Sequence, residues 1–201
     1  LTNQTLNNPY IDIIGLYLNP PENAMVISVD EKTGMQALGK KNKNKSLMIG
    51  SCEKTDFEYK RNGTQCLLAS LVVHKGEVLG KCYDRHRNIE FIDFLETIKN
   101  QYYKEDLEFH IIVDNFSSHK HENVKQWLEN NPKFKFHFTP THGSWLNQIE
   151  LWFSILSRKV LKRGIFNSKE ELVQKIMDYI KFYNENAKPF QWTYTGKPLS
   201  I

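Results

Sequence analysis

Three acidic residues far apart in the chain, Asp30, Asp114 and Glu150, are of a type and setting that could do chemistry together. Asp30 closes the apolar run Val26-Ile27-Ser28-Val29, and Asp114 closes Phe109-His110-Ile111-Ile112-Val113. Short runs of this kind, rich in β-branched residues, read as central strands. If the two strands are adjacent and parallel, both aspartates reach the same edge of the sheet, where open α/β folds bind ligands. Glu150 sits among Ile149, Leu151, Trp152 and Phe153, a setting in which a carboxylate is costly to desolvate unless a cation or hydrogen-bond donors meet it. Three converging carboxylates repel one another unless divalent cations lie between them, and hard oxygen ligands suit Mg²⁺ or Mn²⁺. Two such ions, roughly 3.5–4 Å apart, serve in-line displacement at phosphorus. Either aspartate alone is equally a turn former at a strand end, so the joint pattern carries the reading.

The elements that would have to position these residues follow from periodicity. Residues 1–24 form an entry segment with helical character at Ile11, Ile14 and Leu18, stopped by Pro20-Pro21. A short strand over Val26–Asp30 gives way to a polar, lysine-rich stretch from Glu31 to Lys45 that reads as a loop or mobile edge, and Thr55–Tyr59 reads as extended. Asn62-Gly63 reads as a turn into a strand over Thr64–Val73, which Lys75-Gly76 folds back onto Val78–Cys82 as a hairpin. Asn88 is the expected cap of a helix to about Tyr103. A strand to Asp114, a helix over Lys120–Asn130 and a strand alternating Phe134, Phe136 and Phe138 follow. Ser144 is the expected cap of a long amphipathic helix whose core face carries Trp145, Ile149, Trp152, Phe153, Leu156 and Val160. Ser168 and Glu171 form a capping box for a last helix, and the aromatic tail around Phe190, Trp192 and Tyr194 is expected to pack back on the domain. A hairpin followed by alternating strands and helices implies an α/β fold, a mixed five-stranded sheet flanked by helices, in one domain over residues 25–201.

Composition excludes several classes. With 40% hydrophobic and 25% charged residues, the chain is that of an ordinary globular domain. It carries no apolar run of membrane-spanning length and no leader pattern, so a cytoplasmic protein with no membrane partner is expected. Cys52, Cys66 and Cys82 are odd in number and lack C-x-x-C spacing, which argues for packing residues in a reducing compartment. The net charge of +4 is small, but its cations gather in three clusters: Lys40, Lys41, Lys43 and Lys45; Lys60 and Arg61; Arg158, Lys159, Lys162 and Arg163. That distribution favours a polyanionic partner. The first residue is Leu1, consistent with a fragment or processed form.

The runs Val29-Asp30-Glu31-Lys32, Val113-Asp114-Asn115, His119-Lys120 and Thr139-Pro140-Thr141-His142-Gly143-Ser144-Trp145-Leu146-Asn147-Gln148-Ile149-Glu150-Leu151-Trp152-Phe153 closely resemble the catalytic domain of DDE transposases. The branch they resemble is that of bacterial insertion-sequence transposases of the mariner superfamily. Tyr59–Thr64, Tyr183-Asn184, Pro189-Phe190 and Trp192 are also similar to that branch, and the spacing of 35 residues between Asp114 and Glu150 is its most specific feature. The resemblance implies a ribonuclease H-like fold and a metal-binding triad of Asp30, Asp114 and Glu150. It implies Mg²⁺ or Mn²⁺ as cofactor, two ions per site, with Asp30 as the bridging ligand. It further implies cleavage of transposon ends, strand transfer into target DNA, and a homodimer on double-stranded DNA in a nucleoid-associated complex. Members carry helix-turn-helix modules ahead of this domain, for which the segment before Asp30 is too short. Glu31 is not an expected ligand, because successive strand side chains face opposite ways.

Lys60, Arg61 and Lys120 are expected phosphate contacts, His119 and His142 are expected beside the scissile phosphate, and Trp145 is either core or a stacking platform for an unpaired base. A zinc site built from His119, His121 and His142 is disfavoured, since His119 and His121 point apart and no cysteine is near. Two rival functions remain at this point: a structure-selective nuclease on the same fold, and a non-catalytic DNA-binding remnant.

Overall fold

The computed structural model describes residues 9–41, 59–141 and 143–192. Lys43, Lys45, Cys52, His142 and Tyr194, and the extended stretch expected at residues 55–58, lie outside the described residues.

Five strands form one mixed sheet: β1 (Ala24–Lys40), β2 (Tyr59–Val72), β3 (Val78–Tyr83), β4 (Glu108–Val113) and β5 (Phe134–Phe138), in the order β3-β2-β1-β4-β5. β1 pairs antiparallel with β2 and parallel with β4; β2 and β3 are antiparallel, and β4 and β5 parallel. Five helices cover it: α1 (Pro9–Leu18), α2 (Asn88–Tyr102), α3 (Glu122–Asn130), α4 (Ile149–Leu156) and α5 (Lys169–Asn184). On one face α2 and α3 bury Phe91, Phe94, Leu95, Val124 and Trp127 against Ile27, Val29, Leu68, Phe109, Ile111 and Phe134. On the other, α4 and α5 bury Trp152, Phe153, Leu172 and Ile176 against Leu67, Ala69 and Leu71, while α1 packs Ile13 and Tyr17 beside Val26 and Ile112. Strand alternation supplies both sets, because Ile27 and Val29 face one layer and Val26 and Ser28 the other.

Several local expectations are corrected. β1 does not end at Asp30 but continues to Lys40, so the polar stretch to Lys40 is strand rather than loop. It pairs with β2 along its length, burying Met35 and Ala37, and accommodates its polar composition by register shifts. At the first shift, between Lys32 and Met35, Gly34 has φ +66°, the left-handed conformation a bulge requires. Asn62-Gly63 lies inside β2 at the second shift, where Gln36 faces Thr64 and Leu38 faces Arg61. Its turn-like chemistry makes a bulge there instead of a reversal. Asn88 is the first residue of α2 rather than its cap; Arg87 precedes it, its backbone N–H donating to the Glu90 carboxylate at 2.9 Å.

The expected long helix from Ser144 is broken. Ser144–Leu146 make a 3-10 turn, α4 begins at Ile149, and residues 157–161 continue it as a π turn. Trp145 is therefore off the core face: it is half exposed, its ring stacked 6.1 Å from that of Trp192. In α1 the buried side chains are Ile13, Ile14, Leu16 and Tyr17, whereas Ile11 and Leu18 are exposed. The expected cap of the last helix is present, Ser168 Oγ accepting from Glu171 N at 3.1 Å, and Trp192 of the tail packs 4.7 Å from Tyr17.

Candidate active site

Parallel pairing of β1 with β4 matches Ser28 to Ile112. The paired register ends there; Asp30 lies two residues further along β1 and Asp114 one residue past the end of β4, close enough for the charge of Asp114 to act on Asp30. Between β1 and β4 the chain order reverses, since β2 and β3 lie on the far side of β1, and this is the switch point at which open sheets bind ligands. Asp30 is only 6% exposed. Its Oδ1 accepts from Glu31 N at 2.8 Å and its Oδ2 from Asn147 Nδ2 at 3.2 Å, the same amide donating to Val29 O at 2.9 Å. Asn147 is fully buried, and its loop is held by α1: Tyr17 OH donates to Leu146 O at 2.5 Å and lies 3.2 Å from Ser28 Oγ. The entry segment thus braces the loop that grips Asp30.

Burial pushes the Asp30 carboxyl up to about 7, and the charges of Asp114, Glu150 and Glu31 add to the rise, against the hydrogen bond from Glu31 N. Glu150 is thus near enough to act on Asp30 electrostatically. It lies in the first turn of α4, exposed to solvent rather than pressed into an apolar face, where the positive end of the helix dipole favours it. Asp114 is half-buried just past β4. Burial works to raise its pKa, but His119, the Phe116 N–H at 3.0 Å and Lys120 outweigh that and hold it below the usual carboxylate range.

A family model described as DDE superfamily endonuclease matches residues 25–173, some three-quarters of the chain. The chain belongs to the DDE superfamily endonucleases. Among curated proteins, this DDE endonuclease is 28% identical over 100 residues to the insertion element IS630 uncharacterized 39 kDa protein of Shigella sonnei. That match covers 50% of this chain and 28% of the relative, so the chain corresponds to little more than a quarter of that protein's length. Its fold is similar to the Mos1 transposase paired-end complex with left transposon end (TM-score 0.60, 13% identity, 86% of this chain and 52% of that one). It is also similar to the Mos1 mariner paired end complex with Mn (0.59, 14%, 88% and 55%). A simian T-cell lymphotropic virus intasome matches at 0.53, with 11% identity over 88% of this chain and 59% of that chain. The mixed sheet with its flanking helices is the ribonuclease H-like fold.

Carboxylate oxygens are the right donors for a hard divalent ion, and the raised proton affinity of Asp30 marks a place short of positive charge. Asp30 and Asp114 fit such an ion. Among the described residues no three His, Cys, Asp or Glu side chains are grouped closely enough to hold an ion as they stand.

The remaining expected residues are dispersed. Lys60 and Arg61 are exposed on β2, opposite Gly39 and Leu38. Lys120 is exposed, its Nζ 5.1 Å over the Phe138 ring. His119 is not available to a phosphate: it is 1% exposed and packed 4.2 Å from the Phe91 ring, because the 3-10 turn Ser117–Lys120 points it inward. Sequence reasoning overlooked Asn147, quoted only as part of a motif, and set Glu31 aside. A buried amide two residues before an apolar helix was the available signal for the first; for Glu31, nothing local announced its partner.

Arg158, Lys159, Lys162 and Arg163 are exposed around the π turn. With Lys32, which comes from the strand of Asp30, Arg158 and Lys162 line a cleft of about 470 Å³ between β1 and that turn.

Proposed function

We infer that this chain is the catalytic domain, over residues 25–201, of a DNA transposase. In this reading it cuts transposon ends and joins them to target DNA with Mg²⁺ or Mn²⁺ held by Asp30, Asp114 and Glu150. The observation that carries the reading is the juxtaposition of Asp30 and Asp114 at the switch point, with Glu150 close enough to raise the Asp30 pKa. When bound, a pair of divalent ions would activate the attacking oxygen, water or a DNA 3′-hydroxyl, and stabilise the leaving oxygen. The residues of the chain do the rest. Asn147 and Glu31 N orient Asp30, Phe116 N orients Asp114, and α4 presents Glu150 at the mouth of the site.

Double-stranded DNA is the substrate this surface suits. Lys60, Arg61 and Lys120 offer phosphate contacts, the cleft of Lys32, Arg158 and Lys162 adds further cations, and Trp145 offers a half-exposed ring for stacking. The names of the structural neighbours, paired-end and strand-transfer complexes of Mos1, support a DNA partner, and a homodimer holding two ends is part of the reading. Such a complex would work in the bacterial cytoplasm; among the described residues no helix is long and apolar enough to cross a membrane.

The test is incubation of the protein, Mn²⁺ and pre-cleaved transposon ends with a supercoiled target plasmid. Joined products are expected from the parent and none from Asp30→Asn, Asp114→Asn or Glu150→Gln. Hydrolysis without joining would make the chain a structure-selective nuclease, and equal activity of Glu150→Gln would remove the triad.

A further inference from the structure

Glu31 and His119 were expected to lie apart, one on the unused face of β1 and the other toward DNA, yet they meet inside the protein. Glu31 follows Asp30 and so turns to the layer of α2, with its side chain only 10% exposed. His119 reaches the same place from the turn after β4, and its side chain is fully buried against Phe91. Its Nε2 lies 3.2 Å from Glu31 Oε2 and its Nδ1 lies 2.9 Å from Asp114 Oδ1. The first contact is an ion pair off the line of a good hydrogen bond, since neither atom meets hydrogen-bond geometry. Phe116 N also meets Oδ1 of Asp114, so both of these donors engage the same oxygen and leave Oδ2 for another ligand.

We propose that Glu31 and His119 form a buried positioning pair that orients the Asp114 carboxylate through its Oδ1 and thereby sets how tightly the site holds a divalent cation. The proposal rests on the reading of Asp114 as a metal ligand. The ring lies between the two carboxylates, so it anchors Asp114 through one oxygen while the other stays available. Glu31 is needed because it faces Nε2 from the far side of the ring and so keeps Nδ1 aimed at Asp114. Neither residue touches the ion or DNA. Partners of this kind, one step removed from a ligand, are worth about 10–100-fold in metal affinity.

The experiment is a double-mutant cycle in the protein as purified: Glu31→Gln, His119→Gln and both together, with Mn²⁺ affinity read from the free-ion EPR signal in the absence of DNA and folding read by thermal denaturation. Each single variant is expected to weaken Mn²⁺ binding about tenfold or more. The double variant is expected to be no worse than the weaker single, since the two side chains act as a unit. Affinities within twofold of the parent in folded single variants would overturn the proposal. Independent, additive losses would also overturn it. Where a single variant fails to fold, the double variant decides by the same measure, because it removes both buried charges together: a tenfold loss supports the pair and an unchanged affinity refutes it. Asp114→Asn separates this result from the reading beneath it. Loss of Mn²⁺ binding there with none in the cycle sinks the pair alone, and unchanged binding in Asp114→Asn sinks the assignment of Asp114 as a ligand.

Discussion

The Asn147 amide holds two things at once, the main chain of Val29 and the carboxylate of Asp30, from a position sealed off from solvent. Asn147→Ala removes donors to both and leaves a buried carbonyl and carboxylate less satisfied. A stability loss of about 1–3 kcal/mol is expected in urea denaturation, together with slower strand cleavage. Glu150 is the contrasting case, exposed and, among the described residues, without a side-chain hydrogen-bond partner that burial would make costly to lose. Glu150→Gln should shift stability by no more than about 0.5 kcal/mol while abolishing cleavage, a separation that denaturation and a nicking assay on the same preparations will read. The three proposed carboxylates could be singled out at this scale because each residue sits in a distinctive local context. His119 was not, because nothing near it in sequence shows that its ring turns inward onto Phe91.

Two elements carry consequences of their own. The turn between β2 and β3 is crossed by the tail so closely that a Cβ on Gly76 would meet Lys188 O at 2.1 Å, and Gly76 has φ +74°. Gly76→Ala should therefore destabilise by more than about 1 kcal/mol, measured as a lowered urea midpoint with an unchanged slope. Across β4 and β5, His110 Nδ1 lies 2.9 Å from His137 Nε2. Burial first, then the charge of His110, with Lys135 adding and Asp12 of α1 opposing, lowers the His137 pKa to about 4. His110 is also lowered, again chiefly by burial, with Lys135 adding to the effect and Glu108 opposing it. A histidine whose folded pKa lies below its unfolded value of about 6.5 binds fewer protons when folded, so its contribution is kept above that value and lost as pH falls toward 4. The melting temperature should fall over this window, and the fall should be shallower in His137→Gln. The bulges of β1 and β2 belong here as well. Turn-forming residues were visible at Asn62-Gly63, but whether they reverse a chain or kink it depends on a partner strand.

At the scale of the molecule, the small net charge of +4 conceals a directed one. β1 and β2 pair so that Lys60 and Arg61 face Gly39 and Leu38, and Leu38 lines the same cleft as Lys32, Arg158 and Lys162. Arg61, opposite Leu38, thus lies on a strand that borders this cleft, while Lys32, Arg158 and Lys162 line it. If duplex DNA follows it, replacing Arg158 and Lys162 together by glutamine should weaken binding on every sequence alike and reduce the slope of log K against log[salt] by about 2. Fluorescence anisotropy across a KCl series checks this, and an unchanged slope would place the DNA elsewhere.

Neighbours along the chain were enough to establish the succession of strands and helices, the hairpin, the apolar strand that leads to Asp114 and the aromatic helix of Glu150, since periodicity and capping are local properties written in adjacent residues. The tertiary structure alone decided that β1 runs on past Asp30, that Trp145 leaves the core, that Glu150 stays in solvent and that Glu31 finds His119 behind the site. Those outcomes depend on strand register, on bulges and on which side chains a neighbouring element brings within reach, and long-range pairing is a property of the folded sheet rather than of any segment within it.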